Sequence, residues 1–113
     1  MKLYGIKNCD TVKKARKWLD DAGIAHEFHD FKKDGLDPEL LARLEQEAGW
    51  ETLLNRRGTT WRKLPDEVRD TINAQSAHEV MLANPSIIKR PVVEHEGETS
   101  VGFNADDWQR RFL

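Results

Sequence analysis

Leu3-Tyr4-Gly5-Ile6-Lys7-Asn8-Cys9-Asp10-Thr11-Val12-Lys13-Lys14 begins as a short apolar run, passes through polar residues and enters a basic stretch. Beyond it, Val12, Ala15, Leu19 and Ala22 recur at helical spacing on one face, with Trp18 beside them. Lys13, Lys14, Arg16 and Lys17 fill the opposite, solvated face. The pattern predicts a strand over residues 2–6, a helix over 10–22 stopped by Gly23, and a cysteine at their junction. A helix N-terminus offers unpaired N–H groups and a partial positive charge, which favour an anion. For a thiol that anion is the thiolate, the nucleophilic form. Lys7 adds to this field, Asp10 opposes it, and Asn8 and Thr11 are placed to hydrogen-bond the local backbone. The competing reading is a buried small apolar residue, the usual fate of a free cysteine. The polar neighbours Lys7, Asn8, Asp10 and Thr11 argue against wholly apolar burial.

Working outward, residues 25–30 read as a second strand. Asp37-Pro38-Glu39 is a helix start, with a capping acid, a proline in the first turn and a second acid facing the dipole. Leu40, Leu41, Leu44 and Ala48 give that helix its apolar face, and Gly49 ends it. Residues 51–55 suggest one more helical turn, and Asn55-Arg56-Arg57-Gly58-Thr59-Thr60 reads as a loop. Pro65-Asp66-Glu67 opens a short helix to about residue 73, and Ser76-Ala77-His78-Glu79 matches a capping box for a helix ending at Asn84-Pro85. Val92 to His95 is a strand, Glu96-Gly97-Glu98 a hairpin-like turn and Thr99 to Phe103 its partner. Asn104 caps a last helix through about Arg111, with Trp108 and Phe112 available for packing. Trp18 and Trp108 read as core residues, with Trp50 and Trp61 as further candidates. The order is β-α-β, a helical block, then β-β-α. That predicts an α/β, thioredoxin-like mixed sheet in one domain over 1–113, with a helical insertion at about 36–84. The first crossover should be right-handed between parallel strands, and the last pair antiparallel.

The 113 residues include 34% charged side chains, yet the net charge is only −2. That balance excludes a basic nucleic-acid-binding arm or an acidic tail, and no apolar run reaches membrane-spanning length. No direct contact with nucleic acid or membrane is expected, and the chain is read as a monomer. Cys9 is the only cysteine, so no disulfide can form within the chain. A lone thiol and a first strand in place of an export signal point to a reducing cytoplasm. His26, His29, His78 and His95 are scattered, so no metal site and no tightly bound cofactor are expected.

Two further segments carry candidate chemistry. Lys89-Arg90-Pro91-Val92-Val93 sets a proline at a strand start, where its missing N–H costs no ladder bond. On its own the Arg90-Pro91 bond is expected to be trans; a cis bond would expose backbone beside it to a substrate. Arg90 can grip a carboxylate, phosphate or arsenate with two parallel bonds, or simply be solvated. Arg56-Arg57, ahead of Gly58, can approach an anion, although charged loops are more often just solvated.

At these three places the sequence resembles the arsenate reductase (ArsC) and Spx family of thioredoxin-fold proteins. It is most similar to the YffB-like branch, proposed to be glutathione-dependent thiol reductases. The resemblance rests on Tyr4 to Ala15, on Leu53-Leu54-Asn55-Arg56-Arg57-Gly58-Thr59-Thr60-Trp61-Arg62-Lys63-Leu64, on Asn84 to Val93, and on Val101-Gly102-Phe103. It implies that Cys9 is the redox nucleophile. It likewise implies that Arg90 is the anion-binding arginine before the family's cis-proline, here Pro91, and that Arg57 is the middle-loop arginine of the Spx and YffB branches. Substrate or glutathione contacts would then come from Arg57, Arg90, Pro91, Asn8, Thr11 and Lys7.

Four departures refine this. The third arginine of the family's arsenate reductases falls on Phe103 or nearby Gly102. Their middle-loop arginine would fall on Asn55, and their histidine before the cysteine on Gly5. The second cysteine of the Spx-type redox pair falls on Val12. With one thiol, any redox cycle needs an external resolving thiol. The expected function is therefore a glutathione-dependent thiol reductase, with glutathione as co-substrate and glutaredoxin as a possible partner. The alternatives are an Spx-like regulator that binds RNA polymerase without catalysis, and an arsenate reductase.

Overall fold

A computed structural model describes all residues, Met1–Leu113. The chain divides into two units. One comprises Met1–Asp34 with Arg90–Leu113, and the other Gly35–Lys89.

The first unit holds β1 (Lys2–Gly5), α1 (Asp10–Asp21), β2 (Glu27–Asp30), β3 (Val92–His95), β4 (Glu98–Val101) and α7 (Ala105–Phe112). The strand order is β2-β1-β3-β4. β1 and β2 are parallel, as a helical crossover permits, while β1–β3 and β3–β4 are antiparallel. The expected α/β, thioredoxin-like mixed sheet is thus present. One apolar cluster joins the sheet to α1 and α7. It holds Leu3, Ala15, Leu19, Val93 and Trp108, with Trp18, Phe103 and Phe112 packed against it. Trp108 is buried, and Trp18, Phe103 and Phe112 meet its ring edge-on at centroid distances of 5.7, 4.7 and 5.5 Å. Removing such a ring costs about 3–5 kcal/mol. Asn104 caps α7 as expected, its side chain accepting from the Asp107 N–H at 2.9 Å.

The second unit holds α2 (Pro38–Ala48), α3 (Trp50–Leu53), α4 (Thr59–Arg62), α5 (Asp66–Asp70), α6 (Ala74–Ala83) and a 3-10 turn at Pro85–Ile87. Its buried interior is Leu41, Leu44, Leu53, Leu54, Ala77, Met81, Ile87 and Ile88. Asp37 caps α2 as expected, accepting from the Leu40 N–H at 2.7 Å. No helix is long and apolar enough to cross a membrane.

Several boundaries differ from the sequence reading. α6 starts at Ala74, not after Ser76. The Asn73 side chain accepts from the Ser76 N–H at 2.9 Å, and the Ser76 hydroxyl accepts from the Asn73 N–H at 2.9 Å. Asn is as good a cap as Ser, and this earlier box satisfies two donors while lengthening the helix. Thr59 and Thr60 belong to α4 rather than a loop, and the Thr60 hydroxyl lies 3.1 Å from that of Ser86. α5 ends at Asp70, and β2 starts at Glu27 rather than Ala25. β4 begins at Glu98, leaving a two-residue turn in which Glu96 (φ 51°) and Gly97 (φ 82°) are both left-handed. That geometry matches the right-handed twist of the flanking strands. Trp50 and Trp61 are half-buried, outside the core.

Candidate functional site

Cys9 is the N-cap residue of α1, with extended backbone (φ −106°, ψ 125°). Its N–H donates to the Ile6 carbonyl at 3.2 Å, and its carbonyl accepts the Lys13 N–H at 2.9 Å. These bonds turn the chain from β1 into the helix within four residues. The thiol makes no capping hydrogen bond and is half-buried, so the sulfur is not committed to holding the helix end. Lys7, Asn8 and Thr11 surround it in sequence with exposed side chains, and Asp10 stands in the first turn.

The loop before Cys9 is anchored by a residue that sequence reasoning passed over. Asp30 ends β2 and is only 6% exposed. Its carboxylate accepts from the backbone N–H of Lys7 at 3.1 Å, of Lys32 at 2.8 Å and of Lys33 at 3.2 Å. Its own N–H donates to the Asp34 carboxylate at 2.9 Å. Burial pushes the Asp30 carboxyl up, but the three N–H donors and the Lys33 charge outweigh it and hold the group below its ordinary value. An aspartate ending a strand just before Phe31-Lys32-Lys33 is an Asx-turn signal that could have flagged the local half of this arrangement. The Lys7 half is non-local.

Gly5 explains a second feature. A Cβ there would lie 2.8 Å from Cγ2 of Val12, so β1 and α1 approach too closely for a side chain. Gly5 and Val12 therefore pack directly against each other.

Arg90 is half-buried and Pro91 buried, and the bond between them is cis, as the resemblance implied and against the general expectation for X-Pro. The Pro91 carbonyl accepts the Gly102 N–H at 2.8 Å, so the strand start is tied to the chain beyond β4. The register Tyr4↔Val92 sets the start of β3 beside the end of β1. Arg90-Pro91 and the Cys9 loop therefore leave the same end of the sheet. Phe103, one candidate for the third-arginine position, packs its ring on Trp108 and serves the core.

Arg57 lies in the helical unit. It is exposed, and its N–H donates to the Asn55 side-chain oxygen at 3.0 Å. Arg56 places its guanidinium 5.6 Å from the ring centroids of both Trp50 and Trp61. With Glu51, Leu54 and Lys89, these arginines line a cleft of about 450 Å³.

A mixed sheet ordered β2-β1-β3-β4, a cysteine at the N-cap position of the first helix and a cis-proline opening the third strand define a thioredoxin-like fold with a helical segment between its halves. The chain belongs to the ArsC family, whose model matches residues 4–111. It is similar to the solved structure of a protein named YFFB, at 51% identity and a TM-score of 0.92, covering 99% of this chain and 98% of that one. It is also similar to an arsenate reductase (ArsC) related protein from Brucella melitensis, at 56% identity and a TM-score of 0.83, covering 98% and 92%. The global transcriptional regulator Spx of Streptococcus agalactiae is 30% identical over 107 residues, covering 93% of this chain and 77% of that one.

Proposed function

We propose that this protein is a cytoplasmic, glutathione-dependent thiol reductase that uses Cys9 as its single redox nucleophile. The observation carrying this reading is the position of the only thiol, at the N-cap of a twelve-residue helix with its sulfur unused in capping. The unpaired N–H groups and partial positive charge of the helix N-terminus stand beside that position. In the first step the Cys9 thiolate attacks the glutathione sulfur of a mixed disulfide. The Cys9–glutathione disulfide forms, and the substrate leaves as a thiolate that takes a proton. In the second step a glutathione thiolate attacks the glutathione sulfur of that adduct. Glutathione disulfide leaves and the Cys9 thiolate returns, so the one incoming glutathione sulfur is oxidised as the one substrate sulfur is reduced. Arg90, at the same end of the sheet, supplies a permanent charge for a glutathione carboxylate. Glutaredoxin is the natural class of partner for reducing such an adduct.

The similarity to Spx regulators favours a second reading, a regulator that docks on RNA polymerase without chemistry. Val12 removes the Cys-x-x-Cys redox pair from that reading. Arsenate reduction is less favoured, because Phe103 is engaged with Trp108 and supplies no third cation.

Mass spectrometry after exposure to oxidised glutathione tests the proposal. We expect one glutathione adduct on Cys9, reversed by reduced glutathione, absent from Cys9→Ser and slower to form in Arg90→Ala. An unmodified Cys9, with Cys9→Ser still capturing RNA polymerase, would overturn the reductase reading in favour of the regulator.

A further inference from the structure

We propose that the cleft of the helical unit binds the α-amino-acid head of a small zwitterionic ligand, with Arg57 and Lys89 on its carboxylate and Glu51 on its ammonium. Arg56, Arg57 and Lys89 bring three cations to one cleft of about 450 Å³, against the single carboxylate of Glu51. None of the three is neutralised by an ion pair within the protein, so the cleft carries a net positive charge. Like charges gathered this way repel one another unless an anion offsets them.

The surrounding backbone sets where these charges stand. The Asn55 N–H donates to the Ile87 carbonyl at 2.9 Å, the Lys89 N–H donates to the Leu53 carbonyl at 2.8 Å, and Leu54 bridges Ile88 between them. Arg57 follows from one of these laced segments and Lys89 ends the other. Arg56 stands differently, its guanidinium within cation–π reach of Trp50 and Trp61. Glu51 stands in the first turn of α3.

A simple anion would gain from the cations and be opposed by Glu51. A carboxylate with a neighbouring ammonium satisfies both signs through charge-assisted hydrogen bonds. The γ-glutamyl end of glutathione is such a head. Only that choice of ligand rests on the reductase reading, because the charge argument does not involve Cys9.

The test uses full-length Cys9→Ser, in which no thiol chemistry intrudes. Calorimetry and the fluorescence of Trp50 and Trp61 follow titrations with glutathione, N-acetylglutathione and inorganic phosphate. We expect glutathione to bind, and Arg57→Gln or Lys89→Gln to weaken it by about tenfold or more. Glu51→Gln should weaken glutathione while leaving N-acetylglutathione unchanged or tighter. Absence of glutathione binding, or binding indifferent to all three substitutions, would overturn the proposal. So would a Glu51→Gln variant that binds glutathione and phosphate more tightly alike, which marks a plain anion site. If the wild-type protein forms the reversible Cys9 adduct while these substitutions leave binding unchanged, this proposal falls and the reductase reading stands. If the substitutions act as expected but no adduct forms, the reverse holds.

Discussion

Replacing Asp30 tests whether one buried carboxylate holds the loop that delivers Cys9. Its oxygens accept three backbone N–H groups, from Lys7, Lys32 and Lys33, at 3.1, 2.8 and 3.2 Å. Hydrogen bonds to a charged group contribute about 1.5–3 kcal/mol each, so three would total about 4.5–9 kcal/mol if nothing replaced them. Lys7, Lys32 and Lys33 are exposed, so water can take over much of that role in Asp30→Ala. A net loss of about 2–4 kcal/mol remains. At roughly 4 °C per kcal/mol for a chain of this size, the melting temperature should fall by about 8–16 °C. Asp30→Asn keeps one acceptor oxygen but turns an NH₂ toward a backbone donor, so it should fall between wild type and Asp30→Ala.

The pH dependence has a definite sign. Asp30 is held below its ordinary value in the folded protein. Its contribution is therefore complete above the unfolded-chain value of about 3.9 and is lost as pH falls through the folded value. The stability gap between wild type and Asp30→Asn should be flat near neutrality and narrow below about pH 4. Urea and thermal unfolding across pH measure this, and the alkylation rate of Cys9 reports the loop, which should change in Asp30→Ala. A loss under about 0.5 kcal/mol, or a gap that widens on acidification, would refute the reasoning.

Gly5→Ala should cost about 1–3 kcal/mol by overpacking against Val12, and Val12→Ala in the same chain should recover part of it. Purely additive effects in a double-mutant cycle would contradict that contact. Glu96→Asn should stabilise the β3–β4 hairpin by a few tenths of a kcal/mol, because Asn tolerates the left-handed backbone that Glu96 adopts (φ 51°). A lowered urea midpoint would count against it.

Much of the fold is legible without coordinates because its signals are local. The period of Val12, Ala15 and Leu19 defines α1, and Asp37 and Asn104 announce their helices as caps. The placement of Cys9 at the head of α1 follows from the same short-range pattern. Local rules falter where two local answers compete. Asn73 and Ser76 both make good caps, and the chain uses the earlier box.

By itself, then, the sequence determined a β-α-β start, a β-β-α end, and a lone thiol at the junction of the first strand and the first helix. Only the tertiary structure decided what holds that thiol's loop and what stands around the cations. Asp30 reaches Lys7 across 23 residues, and Lys89 is laced to Leu53 by a backbone bond. Periodicity and capping act over a few residues, whereas a buried carboxylate or a charged cleft exists only once distant segments have been brought together.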